Sequence, residues 1–433
     1  MSEIEKPIII TRRRFIATAT ALGAVGTTNA ALADASMIDS IINAPKRGDW
    51  DEQFDAAASS SAASVRTNNP IFGPDAASNL QRAIFNYETT ADNGGWPQVL
   101  ATSDLRIGMI DAQVSTLRKR LMISGDLGAS AGISDIYDSL VDEAVKRFQA
   151  RHGLPLDGVL GKFTRDAMNV PANVRLTQLR TNLNRVSAIN ADLGQRYVVV
   201  NIPGAYIEAV ENNRVISRHM AIVGRIDRAT PVFDSKIHEV ILNPYWTSPR
   251  SIVEKDIVPL MRKDPTYLAK NAIRLLDDKG NEVDPATIDW NGPAPNLTFR
   301  QDPGKINAMA STKINFPNAF ATYMHDTPQQ GLFNRLVRND SSGCVRVQNI
   351  RDLTTWLLRD TAGWPRQQIE ATIKTRKNTP IRLANPVAVH FKYVTAWSAK
   401  DGVVQFRDDI YRQDGLPEVA LSTGLNQELS AAE

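Results

Sequence analysis

The spacing of apolar residues changes once, near residue 197. Before it they recur every three or four positions, as in amphipathic helices. Leu80, Ala83, Ile84 and Tyr87 form a first stripe in segment 76–103, and Gly94-Gly95 ends it as a turn. Val114, Leu117 and Leu121 form a second. Val141, Ala144, Val145 and Phe148 form a third, broken at Gly153 and Pro155, and a glycine-rich turn then leads to a short helix from about Thr164. These define a small three-helix unit over 104–170. Leu176, Leu179, Leu183 and Val186 give a connecting helix in 171–195, whose stripe reads as a packing face between two domains. From Tyr197 onward, β-branched and aromatic runs broken by Pro203-Gly204 and Glu211-Asn212-Asn213 read as antiparallel strands. Further strands are expected at "HEVILNP" and "PVAVHFKYVTAW". Between them "SPRSIVEKDIVPLMRKDPTYLAKNAIRLLDDKG" is helical and proline-punctuated, an insertion at about 246–300 that serves as a lid or as scaffold. The expected fold class is α+β: a mainly antiparallel β domain over 196–412 with a helical capping insertion, a three-helix module, and a tail at 413–433.

The first 75 residues differ in kind. Arg12-Arg13, a weakly apolar stretch from Phe15, and Ala31-Leu32-Ala33 follow the order of a secretory signal over 1–33. The paired arginines fit the twin-arginine type, with the general secretory route as the alternative, so the expected location is the periplasm. Residues 34–75, rich in Ala, Ser, Asn and Asp, read as a flexible spacer. No other apolar run approaches the ~18 residues of a membrane span. A net charge of +3, with no Lys/Arg run beyond the signal, leaves no footprint for nucleic acid. "DGVLGKFT" is not a phosphate loop, because Phe163 stands where Ser or Thr must follow Gly-Lys. No residue cluster suggests a metal or cofactor, and the oligomeric state is not legible.

Candidate chemistry centres on Cys344, the only cysteine in the chain. An exported protein with a single thiol cannot pair it internally, which marks it as reactive. His325 precedes it by 19 positions, after the apolar "FATYM" run and before a Thr-Pro turn. A thiol with pKa near ~8.5 is only slightly ionised at neutral pH, and a neighbouring imidazole can take its proton and stabilise the thiolate as an ion pair. The turn Ser341-Ser342-Gly343-Cys344 is placed to aim backbone N–H groups at an oxyanion. Tyr323 shares a strand face with His325, while the adjacent Asp326 faces the other side. A backbone carbonyl is therefore the expected partner orienting His325.

"AVKRFQARHGLPLDGVLGKFTRDAM" resembles the peptidoglycan-binding type 1 domain, through Phe148, Gln149, His152, Gly153, Asp157, Gly158, Gly161 and Thr164. "HDTP" followed by "SSGCVRV" resembles the L,D-transpeptidase catalytic domain, in the larger subgroup with an inserted wall-binding domain and a capping loop. "GGWP", "NPYWTSPRSIVEKDIVP", "FRQDPGKINAM" and "TAWSAKDGVVQFRDDIY" extend the likeness over roughly 75–412. Many members read Ser-His-Gly-Cys; here Ser342 replaces that histidine, which leaves the base role to His325. The resemblance implies Cys344 as nucleophile, Arg346 in the substrate groove, and Gly343, Ser342, Ser341 and Tyr323 around the site. It implies an acyl-enzyme on a tetrapeptide stem with release of D-alanine, resolved by a diaminopimelate amine of a second stem to give a 3→3 cross-link. It also implies carbapenems as covalent inhibitors, and no cofactor. Water or an outer-membrane protein amine are alternative acceptors, and a vestigial domain serving only to anchor the protein to the wall is the non-enzymatic alternative.

Overall fold

The computed structural model describes residues 68–189, 193–398 and 402–420. The signal at 1–33, most of the 34–75 spacer and the end of the 413–433 tail lie outside the described residues. Among those described, no helix is long and apolar enough to cross a membrane.

The module is built from α2 (Ala112–Ile123), α3 (Ser139–His152) and α4 (Lys162–Asn169). Asp111 and Asp138 cap the first two through the N–H groups of Gln113 and Val141. Val114, Leu117, Leu121, Val141, Val145 and Phe148 form a core of their own, as the spacing requires. The motif around Gln149 has a structural job. Its amide donates to Asp157 Oδ1 (2.6 Å), the Val159 carbonyl (3.0 Å) and Thr164 Oγ1 (3.1 Å), and accepts from the Gly158 N–H (3.0 Å). One buried side chain thus ties the loop to the start of α4.

α1 (Ala76–Asp92) and α5 (Ala172–Ala188) pack together. Leu80, Ile84, Leu179 and Val186 share one cluster with Val199, Val210, Trp397 and Phe406. The strand β1 (Arg196–Asn201) therefore buries both faces, Tyr197 and Val199 toward these helices and Val198 and Val200 inward. This accounts for its unbroken "YVVV" run.

The remaining main strands are β2 (Tyr206–Glu211), β3 (Arg214–Ile222), β4 (Phe233–Leu242), β9 (Thr312–Asn315), β10 (Met324–His325), β11 (Val345–Val347) and β12 (Thr379–Lys392). They close into a barrel in the order β1-β12-β4-β9-β10-β11-β3-β2. Two pairings, β1 with β12 and β10 with β11, are parallel and the other six antiparallel, so the sheet is mainly antiparallel, as expected. Its interior holds Val198, Val240, Ile314, Met324, Val345 and Val347, with Ile350, Leu353 and Leu357 of the helix Ile350–Leu358 covering it.

Three sequence expectations need correction. The insertion is not simply helical: β5 (Trp246–Thr247), β6 (Ile273–Leu276), β7 (Glu282–Val283) and β8 (Thr298–Gln301) form their own sheet beside the helical stretch that ends at Lys263. That cap has a separate core reaching Met309. Its strands, at two to four residues, are too short to show an alternation. The spacer ends sooner than residue 75, because Ile71 and Phe72 are buried, the Ile71 N–H donates to Glu208 (2.9 Å) and the Tyr197 hydroxyl to the Phe72 carbonyl (2.7 Å). The body also extends past residue 412: Asp414 pairs with Arg185 at 2.5 Å, and Val419 is buried.

Gln149→Ala removes four hydrogen bonds and leaves Asp157 and Thr164 short of partners. We expect a loss of about 1–3 kcal/mol, read as a lower urea midpoint for the full chain. An unchanged midpoint would mean the loop is held by other contacts.

Candidate active site

Alternation along β9, β10 and β11 sends one set of side chains into the barrel and the other outward. Ile314, Met324 and Val345 point in. Register then sets Lys313 opposite His325 and His325 opposite Arg346. Tyr323 and Cys344 lie two residues before His325 and Arg346, on the same outward face. The three strands thus present lysine, tyrosine, histidine, cysteine and arginine together. Lys313 Nζ sits 4.2 Å above the Tyr323 ring, whose centroid is 5.5 Å from that of His325.

Cys344 is half-buried. Tyr323 hydrogen-bonds the thiol through both its backbone N–H and its hydroxyl, and Trp246 of the cap in turn bonds Tyr323. His325 is 7% exposed, and its Nδ1 lies 2.6 Å from the Asp326 carbonyl. A carbonyl only accepts, so Nδ1 carries the proton and Nε2 keeps the lone pair. The Asp326 carboxylate is turned away, accepting from Ser311, Thr327 and Gln330. Alternation had pointed to that arrangement.

The electrostatics do not favour a preformed ion pair. Burial, then the charges of Arg346 and Lys313, lower the His325 pKa to about 3. Burial pushes the Cys344 thiol up, against the opposing effects of Tyr323, Lys313 and Arg346. The resting site therefore holds a neutral thiol and a neutral imidazole. Among the described residues no hydrogen bond joins His325 to Cys344. Register sets Arg346, not Cys344, directly opposite His325.

The loop before Cys344 is held from several sides. Gly343 has φ +104°, a conformation that L side chains rarely adopt, and it lies against the carbonyls of Arg228 and Ala229, which a Cβ there would meet at ordinary contact distances of 3.5 and 3.6 Å. Ser341 Oγ accepts from the Gly343 N–H (3.2 Å) and donates to the Cys344 carbonyl (2.5 Å), while the Ser341 N–H donates to Val223. Two of the four N–H groups of this turn are thus already engaged, and the N–H of Cys344 stays among the candidate oxyanion donors. Ser342 Oγ accepts from Arg228 (2.8 Å), whose guanidinium also grips Asp256 of the cap at 2.9 and 3.3 Å. Arg346 donates to Gln329 (3.2 Å), and its buried Nη2 has no partner. Among the described residues no group of three or more His, Cys, Asp or Glu side chains could hold a metal ion.

Lys313, Trp246, Arg228 and Gln329 were not singled out from sequence. Each is placed by register or by the cap's tertiary packing, which no local pattern reveals.

The model described as L,D-transpeptidase catalytic domain matches residues 195–382. The one described as "Putative peptidoglycan binding domain" matches 111–168. A Haemophilus influenzae protein described as "Putative L,D-transpeptidase" is 38% identical over 228 residues, which cover 51% of this chain and 46% of that protein. The chain therefore spans about half the length of that relative. Among solved structures, an L,D-transpeptidase from Xylanimonas cellulosilytica is 16% identical with TM-score 0.23, covering 67% of this chain and 98% of its own. One from Stackebrandtia nassauensis is 14% identical with TM-score 0.25, covering 67% and 95%.

Two tests follow from the geometry. With His325 neutral down to about pH 3, its protonation removes no base at ordinary acidity. Thiol acylation by a carbapenem should then be flat from about pH 8 to about pH 5, whereas an unperturbed imidazole would impose a drop near ~6.5. Lys313→Met removes one depressing charge, so its acid limb should move upward. A wild-type midpoint near that ordinary value contradicts the neutral, shielded imidazole. Separately, Asp256→Ala frees Arg228 from the cap, and amide exchange across 250–263 should speed up by at least tenfold. Unchanged exchange would show that the cap does not depend on that bridge.

Proposed function

We propose that this protein, which carries an L,D-transpeptidase catalytic domain and a peptidoglycan-binding domain, cross-links peptidoglycan stem peptides through an acyl-enzyme on Cys344. The observation that supports this most is the single outward face on which β9, β10 and β11 gather Lys313, Tyr323, His325, Cys344 and Arg346 beneath a cap.

In the first step the thiol gives its proton to His325 Nε2 as Sγ attacks the carbonyl at the L-centre of diaminopimelate in a tetrapeptide stem. Closure of the site around the donor peptide is needed to bring the two groups into proton-transfer range. Lys313, Arg346 and Tyr323 stabilise negative charge on sulfur as the proton leaves. The Cys344 N–H serves the oxyanion. His325 then returns the proton to the departing amine of D-alanine, and a thioester remains. A diaminopimelate side-chain amine from a second stem attacks that thioester, His325 accepts its proton, and the thiol leaves with a proton regained. The product is a 3→3 cross-link. The unpartnered Nη2 of Arg346 suits a substrate carboxylate. Ser341 and Gly343 shape the nucleophile loop, and Ser342 joins it to Arg228. This work belongs at the cell wall, in the periplasm, to which a twin-arginine signal would deliver the chain.

Incubation with a carbapenem followed by intact-mass spectrometry should give one adduct per chain, on the peptide holding "SSGCVRV". Cys344→Ala should give none. His325→Ala should form it about 10²–10⁴-fold more slowly, and equal rates would remove His325 from the base role. Incubation with stem tetrapeptide and an acceptor stem should yield cross-linked dimer; free tripeptide alone would make water the acceptor and the protein a carboxypeptidase.

A further inference from the structure

The outward face that holds Cys344 continues across further strands. The β10–β11 register sets Tyr323 beside Cys344, and the Val345 N–H donates to the Tyr323 carbonyl (3.0 Å). Lys313 of β9 stands opposite His325, so one step along the same antiparallel pairing sets Asn315 across from Tyr323. Asn315 pairs in turn with Glu239 of β4, and its amide donates to Glu239 Oε2 (2.9 Å). Thiol, phenol, amide and carboxylate thus form one row over β11, β10, β9 and β4. Lys313, two residues from Asn315, shares that face. Neighbouring strands lie roughly 4.8 Å apart, which puts the Glu239 carboxylate, drawn over β9 by Asn315, two spacings or about 10 Å from Cys344.

Lys313 and Glu239 carry opposite charges, and each is turned to a different neighbour. The ammonium lies 4.2 Å above the Tyr323 ring, while the carboxylate holds the Asn315 amide. Both side chains are half-buried, and among the described residues no ion pair joins them. Burial lowers the Lys313 pKa, and the charges of Cys344 and Glu239 oppose that shift, so the two groups feel each other across the groove. Arg382 of β12 also stands opposite Glu239, exposed and one strand farther from Cys344. Among the described residues it makes no ion pair with Glu239 either.

A cation and a carboxylate side by side on one wall suit a ligand group that carries both charges on a single carbon. The side chain of diaminopimelate ends in such a group. It runs through three methylenes to a carbon bearing an ammonium and a carboxylate, about 6–8 Å from the carbonyl that Sγ attacks. Laid over Tyr323, that arm ends between Lys313 and Asn315. We propose that Lys313 and Glu239, with Asn315 between them, bind the zwitterionic end of the donor diaminopimelate, Lys313 taking its carboxylate and Glu239 its ammonium. The inference rests on the reading that wall stem peptides are the substrate. The arm runs away from Arg346, which lies on the other side of His325, so this is a second point of recognition. It makes the site selective for the third residue of the stem. Lysine there keeps the ammonium and lacks the carboxylate, whereas 2-aminopimelate keeps the carboxylate and lacks the ammonium.

The test uses the full chain as Cys344→Ala, so that no turnover occurs, and titrates it calorimetrically with three stem tetrapeptides that differ only at the third residue. The diaminopimelate stem should bind at least about tenfold more tightly than either the 2-aminopimelate or the lysine stem, the cost of losing one charged hydrogen bond. Adding Glu239→Gln should erase the preference over 2-aminopimelate and keep part of that over lysine. Adding Lys313→Met should do the reverse. Glu239→Asp, which keeps the charge, should recover part of the preference and so separates loss of charge from loss of fold. Equal binding of all three stems by the Cys344→Ala chain overturns the proposal, as does a preference over 2-aminopimelate that survives Glu239→Gln. Arg382→Gln erasing that preference as fully as Glu239→Gln also overturns it, because the recognition would then belong to the outer edge of the sheet. Wild-type acylation by a carbapenem is scored separately, so failure of Cys344 to react would count against the cross-linking reading and leave the binding result standing.

Discussion

Everything at the site depends on one register, that of the parallel pair β10–β11 flanked by β9. Burial of Met324 and Val345 in the barrel pins Met324 opposite Val345, and the same pairing puts His325 beside Arg346 and Tyr323 beside Cys344. A slip of one residue would exchange core and surface on every strand involved, so apolar burial and catalytic placement are the same constraint. The site costs the fold little additional order, because the core already demands the arrangement.

Electrostatics follow from that register. Burial, and then the neighbouring cations Arg346 and Lys313, disfavour a charge on the His325 imidazole. The same cations favour negative charge on sulfur, as does Tyr323, while burial opposes it. Resting neutrality and stabilised charge are therefore compatible. The charge is absent at rest, and its stabilisation is already in place when the proton leaves. Oxidation of a thiol proceeds through the thiolate, so the raised pKa of Cys344 also makes its side chain less prone to oxidation. The cap reaches this chemistry by two routes, Trp246 through Tyr323 and Asp256 through Arg228 to Ser342.

Much of this was legible in the sequence, for reasons that can be named. The helical stripes at Val114, Val141 and Leu176 follow from period alone, and a lone Cys with a nearby His is conspicuous in a chain with five histidines. Alternation sufficed to turn Asp326 away from the imidazole. The parallel closure of the barrel was not legible, because β10 and β11 are two and three residues long and owe their pairing to distant strands. Lys313 was missed for the same reason. The cap's sheet was missed because its strands are equally short. The docked ends at Phe72 and Asp414 were missed because composition reports average character, while a single buried ring or ion pair is enough to anchor a chain.

The central claim is that the resting site holds a neutral His325 with its proton on Nδ1. Imidazole ¹⁵N resonances of the full chain, assigned to His325 by comparison with His325→Gln, test this directly. The account predicts the shifts of a neutral ring protonated at Nδ1, unchanged from about pH 7 down to about pH 5. Two equivalent, protonated-type nitrogens at neutral pH would show an imidazolium paired with a thiolate and would contradict it.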